Sequence, residues 1–215
     1  MIAFGNVMGE VVGLDAFTQY LRDTGRSARV AKPEEVPWLE SSFFDQHKQL
    51  IVLEKRPVQV ISIRMQGTIG PRQNLLNGSF SFKVGPIPIM SNRVWPLQYN
   101  DIVHGPERFA LAAKLKQKTK GFFTRERQGI YWSGGELAST LMKDEALMAD
   151  LFQYLDVEDA LEVIPETGKG YTRIVHKTTM SVRYNLLADE IIQLYRGKLP
   201  EPLLNAMETI ARCCT

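Results

Sequence analysis

The chain has 215 residues, is 44% hydrophobic and 23% charged, and carries a formal net charge of +2 at pH 7, a composition that suits one globular domain or two modest ones. Its uninterrupted apolar runs, such as residues 50–53, fall far short of the ~20 residues of a membrane-spanning helix. Its two cysteines, the adjacent Cys213 and Cys214, offer neither a disulfide framework nor metal-ligand spacing.

The N-terminal stretch lacks a basic region and does not read as a secretory signal, so a cytoplasmic address is expected. Helical spacing predicts a short helix over 13–25, ended by Gly25, and a second over 36–47 that begins near Pro37. Residues 49–67 read as two apolar strands joined by the charged turn EKRP, a hairpin. The stretch 68–101 is rich in Gly, Pro and Asn, which predicts long loops and short strands, with Phe80, Phe82 and Val84 alternating against Ser79, Ser81 and Lys83. Within it, Ile87 to Tyr99 is expected to be an aromatic loop. Ile87, Trp95 and Tyr99 mark it as the preferred ligand or partner surface, because long ordered loops often carry function.

Residues 112–127, AAKLKQKTKGFFTRER, set Lys114, Lys116, Lys118, Lys120, Arg125 and Arg127 against the single acid Glu126. Pro106 as a first-turn residue and Gly121 as a terminating glycine predict a helix whose last turns hold lysines that complement its dipole. On such a helix Lys114 and Lys118 lie nearly opposite Lys116 and Lys120, so no single basic stripe forms. Were the run to track a nucleic acid, Phe122 and Phe123 would be its stacking residues. Next, Ser133 followed by Glu136 spells a capping box that opens an amphipathic helix over 133–156. Gly134 and Gly135 then serve the helix start rather than a phosphate, since the Lys and Ser/Thr of a phosphate loop are missing. The acids of that helix could neutralise the basic run within the fold.

A strand over 160–165, a turn over 166–170 and the alternating stretch 171–184 predict a hairpin. Ile174, His176, Met180, Val182 and Tyr184 form its core face, and Arg173, Lys177 and Arg183 align on its wet face. A helix over 186–197 and another from Pro202, with Leu203, Met207 and Ile210 on one side, complete the chain.

The fold expected is α+β: mixed or antiparallel sheets with hairpins, packed against several amphipathic helices. A division near residues 100–106 would separate a β-rich half, 1–105, from a helix-rich half, 106–215; a single domain is the equal alternative. The histidines His47, His104 and His176 stand apart from one another, and neither a catalytic motif, a metal pattern nor a cofactor fingerprint occurs. The leading expectation is a non-enzymatic binding or assembly protein with a protein partner or self-association. The alternative is a phosphorylated or nucleic-acid ligand held by Arg173, Lys177, Arg183, Lys114, Lys118, Arg125 and Arg127. An enzyme whose site gathers distant residues ranks third.

Overall fold

A computed structural model describes residues 14–40, 50–54, 57–65, 90–106, 108–121, 126–185, 190–194 and 199–215. Among them the backbone forms one nine-stranded antiparallel sheet. In chain order the elements are helix α1 (Leu14–Asp23), β1 (Ala28–Ala31), a 3-10 turn (Pro33–Glu35), β2 (Leu50–Leu53), β3 (Val60–Met65), β4 (Met90–His104), β5 (Ala113–Lys120) and β6 (Glu126–Gly134). Helices α2 (Glu136–Met142) and α3 (Glu145–Tyr154), strands β7 (Ala160–Glu166), β8 (Tyr171–Asn185) and β9 (Glu190–Leu194), and helix α4 (Glu201–Cys214) follow. The spatial order is β1-β2-β3-β4-β8-β7-β5-β6, with β9 pairing β8, so strands from both halves of the chain share one sheet. The α+β expectation holds, though the sheet dominates the helices. No helix among the described residues is long and apolar enough to cross a membrane.

Helices cover one face of this sheet. Side chains alternate across a strand, and the register places Ile61, Tyr99 with Asp101, Ile174 with His176, Val163, Ala113 with Leu115, and Trp132 on that inner face. Phe17 and Leu21 of α1, Leu137 and Leu141 of α2, Leu147 and Leu151 of α3, and Leu203, Met207 and Ile210 of α4 fill the core against it. The outer face has its own, smaller cover: Val36 and Leu39 pack on Leu50, Val60, Ile102 and Tyr171, and Trp38 stacks on His104 with ring centroids 4.4 Å apart.

Several expected elements change type. The helix foreseen through 106–120 is strand β5, because its residues alternate with period two: Ala113 and Leu115 are buried and the lysines between them exposed. The helix expected over 186–197 is likewise overturned at its described residues, since Glu190–Leu194 pairs with Val182–Asn185 as a strand. The aromatic loop ending at Tyr99 is in fact the long strand β4. Pro96 lies within it, opposite Thr179 of β8. Residues 36–40 form turns rather than a helix, and the rest of that prediction, like the alternation around Phe82, lies outside the described residues. Helix α1, the β2–β3 and β7–β8 hairpins and helix α4 stand as expected.

The predicted helix over 133–156 is two helices, broken at Lys143 and Asp144, where Asp144 caps α3 by accepting from the Leu147 amide at 2.9 Å. The capping box does not form. Ser133 belongs to β6 and donates to the Lys114 carbonyl at 3.1 Å, and α2 starts without a side-chain cap. Gly134 serves a close approach of two strands: its φ is +142°, and a Cβ there would overlap the Ala112 carbonyl oxygen and lie 3.1 Å from the Ala113 Cα. Gly129, in the same strand, has open space where a Cβ would sit. Gly134→Ala is therefore expected to destabilise the fold by about 3 kcal/mol through backbone strain and overlap. Gly129→Ala should stay within about 0.5 kcal/mol of the parent; urea unfolding of the two variants checks the contrast.

Candidate functional site

Strand β5 is the source of the site. Its pleat sends Lys114, Lys116, Lys118 and Lys120 to the outer face, all four exposed, while Ala113 and Leu115 enter the core. The β5–β6 register sets Ser133 opposite Lys114, Tyr131 opposite Lys116 and Gly129 opposite Lys118. The Lys118 ammonium lies over the Tyr131 ring, 5.4 Å from its centroid, and Tyr131 as a residue is 41% exposed. The pairing of Lys114 with Glu162, and of Glu162 with Val175, carries the same face onto β7 and β8. There Arg173 and Lys177 point outward as well.

These cations differ in how far they are neutralised. Lys114 meets Glu162 at 2.9 Å, and the half-buried Arg173 guanidinium is held by Glu166. Lys116, Lys120 and Lys177 have no carboxylate partner among the described residues. Arg127, by contrast, is committed to the fold. It donates to Gln117 Oε1 at 2.8 Å and to the carbonyls of Phe152 and Leu155 at the end of α3, where a cation offsets the helix dipole. Arg183 lies in β8 opposite Asn92; Arg125 lies outside the described residues, as do Phe122 and Phe123.

Of the aromatic surface foreseen at Ile87, Trp95 and Tyr99, Ile87 is outside the described residues and Trp95 is a β4 residue opposite Met180. Tyr99 is buried, against Phe17 at 5.7 Å and stacked on His176 at 6.0 Å between centroids. Sequence reasoning named Lys116 and Lys120 in the basic run but set them on the far side of a helix from Lys114 and Lys118, and it passed over Tyr131. The strict alternation KLKQKTK was the available signal for the lysines; Tyr131 joins them only through the β5–β6 register.

The inner face holds a second polar group. His176 Nε2 lies 3.1 Å from Asp159 Oδ2, both nearly enclosed, while His176 Nδ1 has no hydrogen-bond partner. Burial pushes the Asp159 carboxyl up, but the hydrogen bond and charge of His176, the Thr178 hydroxyl and the Asp156 amide outweigh it and hold the acid below its usual range. Asp101 sits between Ile61 and Ile174, and its Oδ1 lacks a partner. Burial first, and the Glu208 charge second, push its pKa up to about 7 against the opposing pull of Arg26. Arg26 itself is buried and donates to Glu208 at 2.8 Å and Asn205 at 2.6 Å, tying the end of α1 to α4. Burial likewise raises both thiols of α4, Cys214 to about 12, which leaves them poor nucleophiles.

A groove of ≈ 500 Å³ lies on the other side of the sheet, lined by Glu35, Val36, Trp38, Val52, Leu53, Gln59 and Val60. It gathers neither Asp101 nor the His176–Asp159 pair. His104 stacks on Trp38 and His47 lies outside the described residues. No group of three or more potential metal ligands occurs among the described residues.

Comparison of the chain with protein families, with curated proteins and with solved structures finds no match in any of the three.

A raised acid in the core makes stability depend on pH. Between the ordinary carboxylate pKa and about 7 the folded protein keeps the Asp101 proton that the unfolded chain has lost, so stability falls as pH rises through that window. Asp101→Asn, which mimics the protonated acid, should flatten the decline and raise stability at pH 8. Denaturant unfolding from pH 4 to 8 measures this; equal slopes for parent and variant would contradict it.

Proposed function

We propose that the protein binds a phosphate-bearing polyanion, a phosphorylated or nucleic-acid ligand, on the outer face of β5, β6, β7 and β8. The observation that carries this is the common orientation of Lys114, Lys116, Lys118 and Lys120 on one pleated surface. Lys177 extends it on β8; of these five cations only Lys114 is ion-paired among the described residues, and Glu126 stands across from Lys120. A chain with a net charge of only +2 thereby focuses positive potential on one face, which raises the local concentration of anions. On a helix these lysines would diverge; on a strand they converge.

Such binding is governed by counterion release, so affinity falls steeply with salt, by about 0.7–0.9 in log–log slope for each phosphate engaged. Anisotropy titrations of a labelled mixed-sequence oligonucleotide, from low to physiological salt, are expected to give a slope near −3. The Lys116→Ala/Lys118→Ala/Lys120→Ala variant should reduce the slope by about 2 and weaken binding at every salt concentration. Affinity that is flat across salt, or unchanged in the variant, would overturn the assignment.

A further inference from the structure

We infer that the polyanion is an extended single strand of nucleic acid, lying along β5 with a base on Tyr131; this presupposes the anion-binding role proposed above. Three features favour a single strand. The first is spacing. Alternate residues of a strand are about 7 Å apart, so the four lysines form a row about 20 Å long, interrupted by a register shift of the β5–β6 ladder between Lys118 and Thr119, with intervals comparable to those between successive phosphates of an extended strand.

The second is the shelf beside the row. Tyr131 and Gly129 are two residues apart on β6 and therefore share the outer face with the lysines. Tyr131 is partly exposed, and the space where a Gly129 side chain would stand is open. A planar base can lie on such a ring whatever its sequence, because every base presents a π-face. With Lys118 over the same ring, the stacking surface and the phosphate-binding surface are continuous. A bare phosphate chain or a lipid headgroup layer has no use for that ring.

The third is what the back of the hairpin does. A two-stranded ribbon can enter the major groove of a duplex, but to reach the base edges it must stand proud of the body that carries it by the ~8.5 Å depth of the groove. Here the inner face is engaged: Trp132 and Leu115 are in the core, Gln117 donates to the Asp156 and Asp159 carbonyls, and Arg127 holds the end of α3. Only one face remains wet. A one-sided, linear row suits a strand laid across it.

The test compares four probes on the full chain at one salt concentration: a single-stranded 12-mer, its blunt duplex, inorganic polyphosphate of similar charge, and vesicles of phosphatidylglycerol in phosphatidylcholine. The single strand is expected to bind about tenfold more tightly than the others. Tyr131→Leu should lower its affinity about tenfold while leaving polyphosphate binding unchanged, and Tyr131→Phe should retain it. Gly129→Val, which fills the shelf, should also weaken the single strand selectively. Duplex, polyphosphate or vesicles bound as tightly as the single strand, or affinity indifferent to both substitutions, would overturn the single-strand assignment and leave the broader anion-binding role standing. Failure of every probe to bind would remove both.

Discussion

The structure depends on the register between β4 and β8, an antiparallel ladder that runs from Met90 opposite Asn185 to His104 opposite Tyr171. Because side chains alternate with period two, a slip of one residue would turn every side chain of one strand to the wrong face. In the register observed, Tyr99, Asp101, Ile174 and His176 face the helices, and Asn100, Ile102, Arg173 and Lys177 face away. Strands β7 and β5 inherit that choice through Val163 opposite Ile174 and Ala113 opposite Val163. The outward row of lysines on β5 is thus the far end of a decision made at the centre of the sheet.

That register also encloses polar groups, which narrows the alternatives. Arg26 and Glu208 form a buried pair whose separation would leave an uncompensated charge, and His176 is held by Asp159. A slip of β8 would carry His176 to the outer face, away from Asp159, and turn Lys177 to the inner face that Leu161 shares. The price of this specificity is Asp101, an acid enclosed among isoleucines. On the outer face Ser62, Gln98 and Asn100 are also buried, linked by the bonds from Gln98 to Asn100 and from Asn100 to Ser62. The sheet centre is therefore polar on both sides.

Much of the fold was legible where one period had no competitor. LIVL and VISIRM around a charged turn, and ALEVIP before ETGKG, announced their hairpins; Leu203, Met207 and Ile210 announced α4. The errors arose where two periods fit. Residues 112–120 satisfy a helical pattern through Phe109, Ala112 and Ala113 with Gly121 as a stop, yet KLKQKTK also alternates, and burial of Leu115 beneath the helices decided for the strand. EIIQL reads as helix until its pairing with β8 is known. The candidate site was legible in residue type alone: Lys114, Lys118, Arg173 and Lys177 were named, but their common face, and the presence of Tyr131 and Gly129 beside them, follow from a sheet order that one sequence does not reveal. Arg127 shows the converse, a basic residue whose role at the end of α3 depends on contacts 25 and 28 residues away.

The central claim is spatial: one face of the sheet, and no other part of the described surface, receives the anionic strand. Lysine acetylation mapped by mass spectrometry, with and without a single-stranded oligonucleotide, tests it most directly. The account predicts protection of Lys114, Lys116, Lys118, Lys120 and Lys177, with Lys32 and Lys143, exposed elsewhere, labelled as before. Protection centred on Lys32 or Lys143, or spread evenly over all exposed lysines, would contradict it.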